Sequence, residues 1–228
     1  MMAFILLGSI IIALVFLPGV WVKRVLEKYS LPEDRYSGTG SELARFLLDK
    51  KSLQHVMVEE TEDGDHYDPT QKVVRLTKEK YNGHSLTAIT VAAHEVGHAI
   101  QDGENYGPLR LRTKLVKMSR GIEKIGAGVL MISPFIGIIT KVPGLSVIVF
   151  LSGFVTLLSS TLIHFVTLPT ELDASFKRAL PLLNDSNILK EGDQKYAYKI
   201  LTAAALTYVS ASLMSLLNIA RWWAMLRR

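Results

Sequence analysis

Four stretches of the chain carry no charged side chain, and they set its organisation before any motif does. Met1–Val22 is uncharged and is closed by Trp21, Lys23 and Arg24. At about 1.5 Å per residue it is long enough to cross a hydrocarbon core of roughly 30 Å. It has no basic leader and no small-x-small site before Lys23, so it reads as a retained anchor and not a cleaved signal. Between Ile125 and Thr170 the one formally charged residue is Lys141, beside the turn signal Pro143-Gly144. This predicts a helical hairpin with arms Ile125–Thr140, kinked at Pro134, and Gly144–Leu168. Ile200–Ala220 is again uncharged but holds several Ser and Thr residues and ends near Trp222, Trp223, Arg227 and Arg228. It reads as a fourth span or an interfacial helix.

The polar remainder predicts smaller elements. Thr39-Gly-Ser-Glu42 has the form of a capping box and opens a helix to about Leu48. His55–Glu59 and Lys72–Leu76 read as short strands, a hairpin flanking the acidic turn Glu60–Asp65. Ser85 is the expected cap of a helix reaching about Gln101. The division is therefore an anchor (1–22), a catalytic block (23–121), a hairpin (122–170), a helical segment (171–199) and a last span or interfacial helix (200–228).

Composition narrows the classes. The 228 residues are 49% hydrophobic and 21% charged, too apolar for a disordered chain. No cysteine is present, which excludes disulfides and thiolate metal centres. Any metal site must then be built from His and carboxylates. The net charge of +5 is focused: Arg110–Lys124 has six basic residues and one acidic, so the rest of the chain is neutral. Basic residues alternate there with Leu111, Leu115, Val116, Met118 and Ile122, which suits anionic lipid headgroups better than nucleic acid, for which no stacking aromatics are present. Basic residues near the spans put the polar blocks on the cytoplasmic side, with the terminal arginines opposing.

The richest stretch is His94-Glu-Val-Gly-His98. On a helix, residues four apart share a face, so His94 and His98 can offer two imidazole nitrogens to one Zn²⁺. Glu95 stands beside that face, placed to exchange protons with a water whose pKa the metal lowers towards about 7. Gly97 allows a close approach by another element. Catalytic zinc takes three protein ligands. The third is sought in Glu171, at a helix starting from Pro169, where the hairpin returns; Asp173 is the rival ligand or a partner that orients an imidazole. His164 reads as a hydrogen-bonded histidine within a span, and His55, His66 and His84 as loop or strand residues, with His66 foremost among them.

Asp65-His-Tyr-Asp-Pro69, Val73-Val-Arg-Leu76, Tyr81-Asn-Gly83, Ala92–Gln101 and Leu168–Ser175 resemble the bacterial membrane zinc metallopeptidases of the YugP type. The resemblance covers nearly the whole chain. It implies a neutral zinc peptidase of the cell membrane, with His94 and His98 as ligands and Glu95 as the catalytic residue. A broader similarity is to membrane metallopeptidases with a Glu-x-x-x-Asp helix. Here Ser175 replaces that aspartate, which weakens an orienting role for Asp173.

The resulting expectation is a mainly α membrane protein, multi-pass, with three or four transmembrane helices and a small zincin-like α+β catalytic core. It would hydrolyse peptide or protein substrates held against the edge of strand Lys72–Leu76. The alternative is a non-enzymatic membrane zinc-binding or interaction protein. Metal transport ranks behind both, because His164 alone offers a ligand within the spans.

Overall fold

The computed structural model describes Met2–Leu226; Met1, Arg227 and Arg228 lie outside the described residues, as do the side chains of Trp222 and Trp223. The chain is mostly helical with one small sheet. In order, the elements are α1 (Met2–Lys28), α2 (Gly40–Lys50), β1 (Met57–Thr61), β2 (His66–Asp68), β3 (Val73–Thr77), α3 (Lys78–Tyr81) and α4 (Leu86–Gly103). Then follow α5 (Gly107–Thr140), α6 (Pro143–Leu172), a π-helical segment (Asp173–Ala179), α7 (Leu180–Asp185) and α8 (Gln194–Leu226). Two compact units result. One comprises Val20–Arg110 and Pro169–Thr207; the other comprises Met1–Gly19, Leu111–Leu168 and Tyr208–Arg228.

The first unit holds the sheet, and its helix starts follow the sequence closely. The Thr39 hydroxyl accepts from Glu42 N at 3.1 Å while the Glu42 carboxylate accepts from Thr39 N at 2.8 Å, so two orphan helix donors are satisfied reciprocally. Ser85 Oγ caps α4 by accepting from Ala88 N at 3.1 Å. Alternation in β3 buries Val74 and Leu76 and leaves Arg75 on the other face, 3.3 Å from both Glu59 and Asp68. The core joins Leu47 and Leu48 of α2, Ala92 and Val96 of α4, Leu183 of α7 and Ile200 of α8. Arg35 donates to buried Asp193 at 2.7 and 2.5 Å, and Tyr36 donates to the same carboxylate at 2.6 Å. This contact ties the loop before α2 to the start of α8.

Several expectations are corrected. Strands at 57–61 and 73–77 do not form a hairpin: they run parallel, Met57 opposite Val73 through Thr61 opposite Thr77. The hairpin is β2–β3, which is antiparallel; its turn is closed by Asp68 Oδ1, which accepts from Thr70 N and Gln71 N at 2.8 and 3.2 Å. The strand order β1-β3-β2 makes β3 central, so Lys72–Leu76 is not a free edge. Its main-chain groups are spent on both neighbours. Pro169 does not start a helix either: α6 runs through it to Leu172 before the π-helical segment begins. The basic stretch Arg110–Lys124 forms part of the first half of α5.

In the second unit, α5 is the one helix among the described residues that is long and apolar enough to cross a membrane, and Pro143–Thr156 is a shorter apolar stretch. Pro134 removes the N–H that would reach Leu130 O; Ser133 Oγ donates to that carbonyl instead, at 2.8 Å, and the helix continues. A Cβ at Gly153 would lie 2.9 Å from Leu130 Cγ, so this glycine permits close packing of α6 on α5. Large apolar side chains such as Phe135, Ile138, Ile139, Ile148 and Val155 point outward. Arg112, by contrast, is buried with its guanidinium 4.8 Å from the Tyr208 ring centre.

Candidate metal centre

Every residue of α4 from Leu86 to Gln101 is buried, so the helix that carries the chemistry is enclosed on all faces. Small residues make this possible: Ala92, Ala93 and Ala99 leave room for neighbours, and Gly97 does more. A Cβ there would sit 2.6 Å from the carbonyl oxygen of Ala174, so the π-helical segment lies directly against the α4 backbone. This contact brings the end of α6 to the histidines. π-Helical turns are uncommon and recur at functional sites.

Three donor atoms meet at this point. His94 Nε2 is 3.4 Å and His98 Nε2 3.0 Å from Glu171 Oε2, and all three ligand atoms lie within 4.8 Å of one another. All three residues are buried; Glu171 is 1% exposed. Asp173 is not part of this group. Its Oδ2 instead accepts from Gln101 Nε2 at 2.7 Å and from Arg178 Nε at 3.2 Å, with Lys177 at 3.7 Å from Oδ1. Glu95 is buried on the same helix and also stands outside the group.

The surrounding hydrogen bonds assign the imidazole protons. Gln101 Nε2 donates to Thr170 O at 3.0 Å as well as to Asp173, which fixes the amide orientation. Its Oε1 can then only accept, so His98 Nδ1, 2.9 Å away, is the donor. Ser175 Oγ spends its single proton on Leu201 O at 3.1 Å and therefore accepts from His94 Nδ1 at 2.9 Å. Both Nε2 atoms are left with lone pairs aimed at a carboxylate oxygen. Three such atoms converging on one buried point suit a cation between them. The donor set suits Zn²⁺: ligand atoms about 2.0–2.1 Å from a tetrahedral ion lie about 3.3 Å apart, against the 3.0 and 3.4 Å found here.

The sequence reading named the three grouped residues but missed Gln101 and Ser175 as orienting partners. Both stand at helical spacings, three residues after His98 and four after Glu171, so a search for polar side chains at those offsets would have found them. The other histidines lie elsewhere. His66 Nδ1 is 2.9 Å from Gly64 O, His55 is exposed, and His84 offers its carbonyl to Tyr36 N at 2.8 Å. His164 is buried in α6, its ring stacked 6.2 Å from Tyr208. Tyr67 donates to Asp102 at 2.7 Å, and Lys72 pairs with the same carboxylate at 2.5 Å, which pins β2 and β3 to α4. Burial and the Asp102 contact hold the Tyr67 phenol well above its ordinary range.

Fold and site together define a mostly helical protein with a buried centre of two histidines and one carboxylate, the donor set of a zinc site. The chain belongs to the neutral zinc metallopeptidase family: residues 3–227 match the family described as "Putative neutral zinc metallopeptidase". It is also 37% identical over 223 residues to "Putative membrane protease YugP" of Bacillus subtilis (strain 168), an alignment covering 97% of this chain and 95% of that protein. No solved structure matches the chain.

Proposed function

We propose that the chain is a membrane-embedded metalloendopeptidase in which His94, His98 and Glu171 hold zinc and Glu95 moves the protons. The observation that carries this reading is the convergence of two imidazole Nε2 atoms and one carboxylate, all buried, with both imidazole Nδ1 protons committed outward to Ser175 and Gln101. When bound, zinc polarises the scissile carbonyl and acidifies a water. Glu95 takes a proton from the attacking water and delivers it to the departing amine nitrogen. Ser175 and Gln101 hold the two imidazoles in the ligating tautomer. With β3 central, the free edge of β2, which packs on α4, offers main-chain hydrogen bonds to an extended peptide.

The membrane part of the proposal is that α1, α5, α6 and α8 each span, with the sheet-containing unit in the cytoplasm. Outward-facing Leu14, Leu17, Ile138, Ile139 and Ile148 support it, because a water-facing surface does not carry such side chains in continuous bands. The basic start of α5 then meets anionic headgroups.

The test is zinc content and casein cleavage of the purified chain. Glu95→Gln should retain stoichiometric zinc and lose more than about a thousandfold in turnover, in line with loss of a general base and its proton delivery. Glu171→Ala should lose zinc and activity together, whereas Asp173→Ala should keep measurable zinc. Cleavage that survives both chelator and Glu95→Gln would overturn the zinc mechanism, and stoichiometric zinc without cleavage by the wild type would favour a non-enzymatic zinc protein.

A further inference from the structure

One groove of the sheet-containing unit is unrelated to the metal centre. It has a volume of about 640 Å³ and a mostly apolar lining. One wall is a single face of α8, where Lys195, Tyr198, Lys199 and Thr202 follow the i, i+3, i+4, i+7 spacing. The facing wall includes Trp21 of α1 and Leu180 of α7. Trp21 and Tyr198 are exposed. No acidic residue lines the groove, and among the described residues neither lysine is paired with a carboxylate. Lys195 Nζ instead lies 4.8 Å from the Tyr196 ring centre.

Position along the chain supplies a second observation. Trp21 stands in the last turn of the uncharged run Met1–Val22, and Lys199 immediately precedes the uncharged run Ile200–Ala220. The groove therefore lies where one apolar run ends and another begins. On the spanning reading proposed above, on which this inference rests, that level is the headgroup layer, where Trp, Tyr and Lys concentrate.

We propose that this groove is a binding site for one anionic phospholipid. Lys195 and Lys199 receive the phosphate, and Trp21, Leu180 and Tyr198 cover the glycerol end and the first acyl carbons, whose tails continue into the bilayer. Two cations without a counter-charge select a net negative headgroup over a zwitterionic one. The apolar wall selects a lipid over free phosphate, which has nothing to place against Trp21. The lipid would join α1 to α8 where both leave the membrane.

The experiment uses the full chain, purified in detergent and stripped of lipid, with native mass spectrometry after addition of phosphatidylglycerol or phosphatidylcholine. One phosphatidylglycerol should be retained, at least tenfold more tightly than phosphatidylcholine. Both K195Q/K199Q and K195E/K199E should lose that preference, while K50E/K78E, which alters two exposed lysines elsewhere, keeps it. Equal retention of the two lipids by the wild type, an unchanged preference in K195Q/K199Q, or binding of inorganic phosphate without lipid selectivity overturns the site. Alkaline carbonate extraction of native membranes is run in parallel. Release of the chain overturns the spanning reading and this site with it, whereas a retained chain without lipid preference overturns the site alone.

Discussion

The two units of this protein bury their side chains by opposite rules. In the sheet-containing unit Ala44, Leu47, Val74, Ala92 and Leu183 are fully enclosed, and charged residues face outward or pair, as in any water-soluble core. In the helical unit Ile138 and Ile139 are 73% and 78% exposed, while Ser119, Ser133 and Gly153 are buried. Water drives apolar side chains together only where water is the solvent. Where lipid is the solvent, small and hydroxylated residues pack helices closely and large apolar ones face the acyl chains. On the spanning reading proposed above, the contrast gives lipid to the helical unit and water to the sheet-containing one, where the metal centre, which needs buried polar groups held by a hydrogen-bond network, is built.

The largest expected effect that would break this contrast is in the polar ties of the first unit. Asp193 accepts three hydrogen bonds from Arg35 and Tyr36, and its side chain is 1% exposed. Asp193→Ala should destabilise the unit by about 3 kcal/mol, the lower end for a broken buried pair, since Arg35 can turn to water. Denaturant melts of the detergent-solubilised chain measure it. The same contact has a pH signature. Burial alone would raise the Asp193 pKa, but hydrogen bonds from Arg35 and Tyr36 and the Arg35 charge outweigh it and hold the carboxyl below its ordinary value. A depressed acid contributes fully above the unfolded value of about 4 and loses that contribution as pH falls through its folded value. Wild-type stability should therefore fall more steeply below about pH 4 than that of Asp193→Asn. In the same cluster, burial and the bond to Asp193 push the Tyr36 phenol up to about 12, so it remains a donor at neutral pH.

Next in size, Ile132→Asp tests the other half of the contrast, at an exposed position midway along the apolar arm Ile125–Thr140. On a water-facing surface this exchange would be nearly neutral. At the middle of a span it costs about 2.5–3.5 kcal/mol of insertion free energy. The expected result is a reduced membrane-integrated fraction with an unaltered denaturant melt of the sheet-containing unit. Equal insertion of wild type and variant would remove the lipid assignment for α5.

Gln101→Met keeps the volume but removes the acceptor for His98 Nδ1–H. Zinc affinity, read by chelator competition, should fall about 10–100-fold. The smallest effect sharpens the comparison from the backbone side: Thr39→Ala removes one half of a solvent-accessible capping box and should cost about 1 kcal/mol in the melt, with zinc affinity unchanged.

Some of this was legible before any coordinates. Caps at Thr39 and Ser85, the extent of α4 and the turn at Lys141–Val142 follow from side chains within a few residues of the groups they satisfy. The spacing of His94 and His98 is local in the same sense. The sheet was misread because β1 and β3 pair in parallel, and parallel partners are selected by what each strand packs on and not by the turn between them. The proline at 169 looked like a helix start because a missing N–H is usually tolerated only there; α6 carries it two residues before Glu171 and then widens into the π-helical segment.

What the sequence by itself determined is the inventory: four apolar runs, a cationic stretch, two capped helices and a His-Glu-x-x-His face, each set by period, charge or capping over a dozen residues or fewer. What the tertiary structure decided is which distant residues meet. Glu171 lies 73 positions from His98 and reaches it, while Asp173, two residues further on, is turned to Gln101 and Arg178. The sequence held both carboxylates as candidates. The close approach of Gly97 to Ala174 and the π-helical turn beside it separate them, because the rotation of a returning helix depends on the surface it packs against and not on its own composition.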